Sequence, residues 1–260
     1  MRALRAWLAA VGDPAKRVAF ATLIPGARVV GVQVPVLRAK AAELSRAHRE
    51  LPLAAVADTM DVLAASRVRE EILVGTFWLA RYGRKLTALP WRRIAAWLSA
   101  LDNWETCDQL AMGVAAPVLD ADPARAHRLL PLTSARSSWT RRFALATASA
   151  LNVKGRAHVA DTLAVCAPLM ADPAPEVRKA VGWALRQATP HDPAAVERFM
   201  REHAGTAHPT VLREGSEKLP AARRAAITRR ASAPAREQDR GTPRLRSRAP
   251  QRPRRSRPSS

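Results

Sequence analysis

At 260 residues, 48% of them hydrophobic, the chain can bury one substantial core of repeated elements or two small ones. The longest runs without a charged residue, 109–119 and 143–153, are eleven residues each, too short to span a bilayer. Cys107 and Cys166, both in apolar helical patterns, leave no disulfide framework and no metal-ligand spacing, which fits a reducing cytoplasm.

The formal charge of +21 is unevenly placed. From residue 221 onward there are 13 arginines and 2 acids, leaving 30 basic and 20 acidic residues in 1–220. A body that basic points to nucleic acid ahead of anionic membranes or acidic proteins. The plain alternative is a solvated surface in an arginine-rich proteome. The N-terminus carries Arg2 and Arg5 and no cleavable apolar core, so no signal peptide is expected.

Alanine, leucine and arginine, good helix formers, are abundant, and no segment sustains period-two alternation. The pattern predicts helices over 2–11, 14–24, 35–48, 53–65, 67–82, 91–100 and 104–119. Further helices are expected over 123–130, 137–151, 156–170, 174–188, 193–204 and 209–218. Asp-Pro at 13–14, 122–123, 172–173 and 192–193 reads as helix starts: aspartate caps free N–H groups, and proline loses no bond at the first helical position. The run Val29–Pro35 looks β-like, but Pro35 can begin a helix with Gly31 easing a turn. Val159, Leu163, Cys166 and Met170 form one core-facing stripe on 156–170. Short polar links favour antiparallel neighbours, so the expected fold is all-α, a solenoid of HEAT-like helix pairs over 1–220, with a plain bundle nearly as compatible. From Ala221 proline, serine and arginine replace the apolar periodicity, and 221–260 is expected to be a disordered basic tail.

Three helical stretches stand out chemically. In 101–110, Trp104 and Asp108 are four apart and share a face. Trp104, Cys107, Ala111, Val114 and Val118 make a stripe, with Asp108 at its edge about 100° beyond Cys107. An acid there costs desolvation unless compensated; the bland reading is a structural aspartate paired with an arginine. In 138–145, Trp139 and Arg142 are three apart. In 177–186, Trp183 lies between Lys179 and Arg186.

Together with Gly31–Arg38, these stretches resemble, in order, the HEAT-like-repeat DNA alkylation-repair glycosylases of the AlkD type, over residues 15 to 205. The resemblance implies a catalytic Asp108 with Trp104, Arg142 and Trp183 binding substrate. We place Lys179, Arg186 and Arg141 on the DNA backbone. Asn103 stands where the family can carry a second tryptophan, and Tyr82, the single tyrosine, lies outside the N-terminal helices where the family can supply another aromatic.

Cleaving an N3- or N7-alkylated purine from its sugar develops oxocarbenium character, which a fixed carboxylate stabilises. Tryptophan faces attract cations and pack on deoxyribose, and an arginine can engage a phosphate bidentately. The resemblance further implies that the lesion is recognised without full base flipping. Rival constellations are weak. His203 and His208 lack clustered carboxylates and read as surface or capping residues. Glu70-Glu71 reads as an exposed charge run. No P-loop or dinucleotide fingerprint occurs. Trp7, Trp78, Trp91 and Trp97 read as packing residues, with Trp139 leaning the same way.

The expectation is therefore a metal-independent DNA-alkylpurine N-glycosylase, a hydrolase without cofactor. It would act as a cytoplasmic, nucleoid-associated monomer on double-stranded DNA bearing 3-methyladenine- or 7-methylguanine-type lesions. The alternative is a non-catalytic helical-repeat protein that binds nucleic acid or scaffolds a partner on the same basic concave face.

Overall fold

A computed structural model describes residues 1–153 and 155–232. Fifteen α-helices run through the described residues: α1 Arg2–Val11, α2 Pro14–Leu23, α3 Val34–Ala47, α4 Leu53–Ala65, α5 Arg69–Ala80, α6 Trp91–Trp97, α7 Trp104–Leu110, α8 Ala116–Asp120, α9 Arg125–Leu129, α10 Ser138–Ala150, α11 Val159–Cys166, α12 Pro175–Ala188, α13 Pro193–His203, α14 Pro209–Gly215 and α15 Ala221–Ser232. No strand occurs among them; Arg28 and Val68 form an isolated bridge.

Alternate helices stack. α3, α5, α7, α10, α12 and α14 pack side by side in one layer, while α4, α6, α11, α13 and α15 pack behind them. This is the all-α, paired-helix arrangement expected from the pattern and the short links. α10 is its pivot: every residue from Arg142 to Ala150 is buried. Phe143 and Ala146 join the N-terminal core cluster, whereas Ala144, Leu145 and Ala148 join the C-terminal one. In the predicted 156–170 stripe, Cys166 and Met170 are buried and Val159 and Leu163 pack partly against the second cluster.

The breaks between helices have local causes. Asp13 and Asp192 cap α2 and α13, accepting from Ala15 and Lys16 N–H and from Ala195 N–H. Asp122 and Asp172 instead tighten turns through Ala124 and Ala174 N–H, before helices that begin at Arg125 and Pro175. Arg67, at φ 55°, starts α5 two residues later than the pattern predicts. The predicted helix 104–119 is interrupted by a π-helical turn, Ala111–Ala115, in which Ala116 N–H bonds Ala111 O. Pro117 cannot donate to Gly113, and its ring crowds that carbonyl.

The Val29–Pro35 run is an extended loop leading into α3, with Pro35 in the first turn. Gly31 has φ 98°, and a Cβ there would lie 2.3 Å from Asp13 O, so glycine is required on both counts. Gly182 matters through proximity: a Cβ would lie 2.7 Å from Glu214 Cβ, and its absence lets α12 and α14 approach closely.

The boundary expected at residue 220 shifts. α15 is helical through Ser232, packs on α13 and α14, and buries Ile227 in the second cluster. Ala221–Ala226 and Ile227 still supply helix formers and one apolar anchor, enough to dock a helix. The remainder of the predicted tail, 233–260, lies outside the described residues.

Candidate active site

Asn103 sets the start of the site helix. Extended at φ −152° and ψ 160°, it accepts from Glu105 N–H at 3.1 Å and Thr106 N–H at 3.0 Å, an N-cap that makes Trp104 the first residue of α7. The apolar stripe is narrower than expected. Cys107, Ala111, Val114 and Val118 are buried, but Trp104 is 36% exposed. At about 100° per residue, Trp104 lies roughly 50° from the centre of those four positions, toward Asp108. The indole stands at the margin of the core beside the carboxylate.

Asp108 is held from the next helix. Arg142 Nε donates to Asp108 Oδ1 at 2.9 Å and Nη2 to Oδ2 at 2.7 Å, while Nη1 donates to Glu176 O at 2.8 Å on α12. Both side chains are largely buried, 14% exposed for Asp108 and 10% for Arg142. Burial pushes the Asp108 carboxyl above its usual range, against the pull of the Arg142 hydrogen bonds and charge. Burial also draws Arg142 down, but the hydrogen bonds and charge of Asp108 outweigh it and leave the guanidinium raised. Burial, with Asp108 adding to it, raises the adjacent Cys107 thiol well above its normal value, so that sulfur is inert.

Arg142 thus commits three of its five N–H groups within the protein, two to Asp108 and one to the Glu176 carbonyl. The other predicted cations divide. Arg141 makes a bidentate pair with Asp172 at 2.7 and 3.0 Å and donates to Ala135 O. Arg186 pairs with Glu217 at 2.7 Å. Lys179 is exposed and, with its neighbour Arg178, forms no ion pair among the described residues. Trp183 and Trp139 are half-buried and pack against the N-terminal core cluster. The structure pairs Asp108 with Arg142 and sets Trp104 one helical turn before Asp108; Lys179 and Trp183 lie on α12, whose first turn receives Arg142.

A buried network beside the site overturns the exposed reading of Glu70-Glu71. Arg69, Glu70 and Glu71 are 1%, 0% and 4% exposed. Glu70 accepts from the N–H groups of Val30, Gly31 and Val32 at 2.9–3.3 Å, so the β-looking loop folds over α5 and closes on it. Arg69 joins that loop to the site: it donates to Val32 O, Glu70 Oε1 and Glu105 Oε2, and its guanidinium lies 4.3 Å from the Phe20 ring. Glu105 follows Trp104 directly. The N-terminal portions of α5, α7, α10 and α12 are tied together by Arg69–Glu105, Asp108–Arg142, Ser138–Glu176 and Arg142–Glu176.

Among the packing residues, Trp97 is buried with Nε1 on Asp61 Oδ1, and Trp78 is buried beside His48. His208 caps α14 by accepting from Thr210 N–H, and His203 bonds Phe199 O. Among the described residues, no group of three or more His, Cys, Asp or Glu gathers to hold a metal ion, and no helix is long and apolar enough to cross a membrane.

The family model described as DNA alkylation repair enzyme matches residues 4–219. The chain belongs to the DNA alkylation repair enzyme family. That span runs from Leu4 in α1 through α14 and includes Trp104, Asp108 and Arg142. Among solved structures, it is similar to a predicted DNA alkylation repair enzyme from Enterococcus faecalis, with a TM-score of 0.66 and 18% identity over 81% of this chain and 97% of that one. At that identity the likeness speaks to the fold. A comparison with curated proteins finds no match. Membership in the family supports a role in DNA repair, with DNA as the implied substrate.

Proposed function

We propose that this family member is a DNA glycosylase that hydrolyses the N-glycosidic bond of cationic alkylpurines, with Asp108 as its catalytic residue. The observation that carries the reading is a carboxylate fixed bidentately at the solvent margin, one helical turn from an exposed tryptophan. A purine alkylated at N3 or N7 is already a good leaving group, so the protein must chiefly stabilise positive charge developing on the sugar. A preorganised, partly desolvated carboxylate does that without reorganising during the reaction. Arg142 takes one acceptor direction from each oxygen of Asp108; an ionised carboxylate has about four, leaving the others to face a sugar or a water.

Arg142 is then a positioning residue, which holds Asp108 ionised and aimed, rather than the phosphate clamp expected from the motif. The backbone role falls to cations with free heads, Lys179 first. Trp104 packs on the deoxyribose or base beside Asp108, and Trp183 supports that face from α12.

A second reading is favoured by the same pair. A bidentate Asp–Arg contact also ties α7 to α10 and α12, as a purely structural aspartate would in a DNA-binding module. Release of free 7-methylguanine from a methylated duplex separates the two. The proposal expects release by purified protein well above the protein-free rate; the binding module gives retention of the DNA with no release.

A further inference from the structure

We propose that Met112 is a specificity-determining contact for the damaged nucleotide, gripping it from the side of Asp108 opposite Trp104. The inference rests on the glycosylase reading of Asp108 for the nucleotide's position, but its principal readout is binding and does not require turnover.

The helical phase of α7 and its neighbours sets the direction of Met112. With Trp104 taken as zero, about 100° per residue puts Asp108 near 40°, Met112 near 80°, Glu105 near 100° and Gln109 near 140°. The flanking directions are taken by protein. Asp108 turns to Arg142 on α10, Glu105 to Arg69 on α5, and Gln109 accepts from Arg38 on α3 at 2.8 Å. Arg38 itself lies 4.1 Å over the Phe77 ring, closing that side. By that phase Met112 falls between the α10-directed Asp108 and the α5-directed Glu105, and its side chain is exposed. It is 39% exposed although Ala111, Val114 and Ala115 of the same turn are fully buried and Gly113 is half-buried.

Eight large apolar side chains are notably exposed among the described residues, and two of them flank Asp108: Trp104 at the start of α7 and Met112 in the π-helical turn that continues it. Each lies four residues from the carboxylate, about 6 Å along the axis. A nucleotide whose sugar sits over Asp108 therefore meets an indole on one side and a thioether on the other. The two surfaces are suited to the apolar faces of a sugar and base, and methionine is a soft partner for aromatic rings. The π-helical turn beginning at Ala111 carries Met112, and such turns recur at functional sites. The occupant is DNA rather than an apolar peptide because the patch encloses a carboxylate between its two members, belongs to a DNA-repair family fold, and shares its layer with Arg178 and Lys179, which form no ion pair among the described residues.

The test uses the full chain and two duplexes, one undamaged and one carrying a stable tetrahydrofuran abasic analogue. Met112→Ala should weaken binding to the abasic duplex roughly three- to tenfold, with a smaller change on undamaged duplex and an unaltered melting temperature. Met112→Leu should restore most of the loss. Val62→Ala, at an exposed residue on α4, should bind as wild type. Unchanged affinity of Met112→Ala for the abasic duplex overturns the proposal, as does an equal loss on both duplexes. If wild type releases no alkylated base yet Met112→Ala loses abasic-site affinity selectively, the contact stands and the glycosylase reading falls.

Discussion

Arg142 on α10 grips Asp108 on α7 through two hydrogen bonds, 2.9 Å from Nε to Oδ1 and 2.7 Å from Nη2 to Oδ2. The pair joins two helices whose packing covers most of both side chains, and the remaining guanidinium nitrogen, Nη1, donates to a carbonyl of α12. Its removal therefore strands a buried charge. Arg142→Ala should cost about 3 kcal/mol or more of folding stability, read from urea unfolding, and should slow base release along with it. Weaker DNA binding at unchanged stability would restore the phosphate-clamp role.

The pH dependence follows from burial. Asp108 titrates above its ordinary value of 3.8 because desolvation outweighs the pull of Arg142. Since the folded state holds that proton more tightly than the unfolded chain, ionising Asp108 costs stability as pH rises from 3.8 through the folded value. Activity moves the other way. The carboxylate is the working form, so base release, corrected for the protein-free reaction, should fall as pH drops through a midpoint above 3.8. That limb should vanish in Asp108→Asn; an identical limb in the variant would assign the titration to another group.

Glu70 and Gly31 fix the loop that covers α5. Gly31→Ala would place a Cβ 2.3 Å from Asp13 O at a φ of 98°, so both contact and conformation are violated. A loss of at least about 1–3 kcal/mol is expected, seen as a lower urea midpoint. A variant as stable as wild type would show that the loop is not held as described.

Much of the fold was legible in the sequence because local chemistry decides it. Asp13-Pro14 and Asp192-Pro193 cap helices as expected, and the stripe on α11 faces the core. The motif spacing also located the Trp104–Asp108 pair. The destination of each charge was not legible, because those partners are distant in sequence. Arg142 meets Asp108 across 34 residues, and Glu70 meets Val30 across 40. A Glu-Glu pair after arginines reads as a solvated run until the loop at 30–32 supplies three N–H donors. Asn103 carried a readable signal, an N-cap amide directly before the helix. The exposed Met112 depended on knowing which neighbours flank α7.

α15 changes where the basic C-terminal segment can be removed. Ending the chain at residue 220 would uncover the site of Ile227, which is buried in the second core cluster, whereas ending after Ser232 removes nine arginines and two acids and leaves that helix. The shorter chain should bind undamaged duplex more weakly, with a flatter dependence on salt, because fewer counterions are released. Excision at saturating protein should change little. Normal binding combined with lost excision would assign residues 233–260 to the reaction itself.

Asp108→Asn removes the charge proposed to stabilise the developing sugar cation while keeping size and one acceptor oxygen toward Arg142. Single-turnover release of 7-methylguanine, duplex affinity and melting temperature are measured on the same preparations. The rate should fall on the order of 10²-fold, with affinity changed far less because the full sugar charge exists only near the transition state. Equal rates for wild type and Asp108→Asn, or a rate loss that only tracks a fall in melting temperature, would contradict that role and make Asp108 a structural tie between α7 and α10.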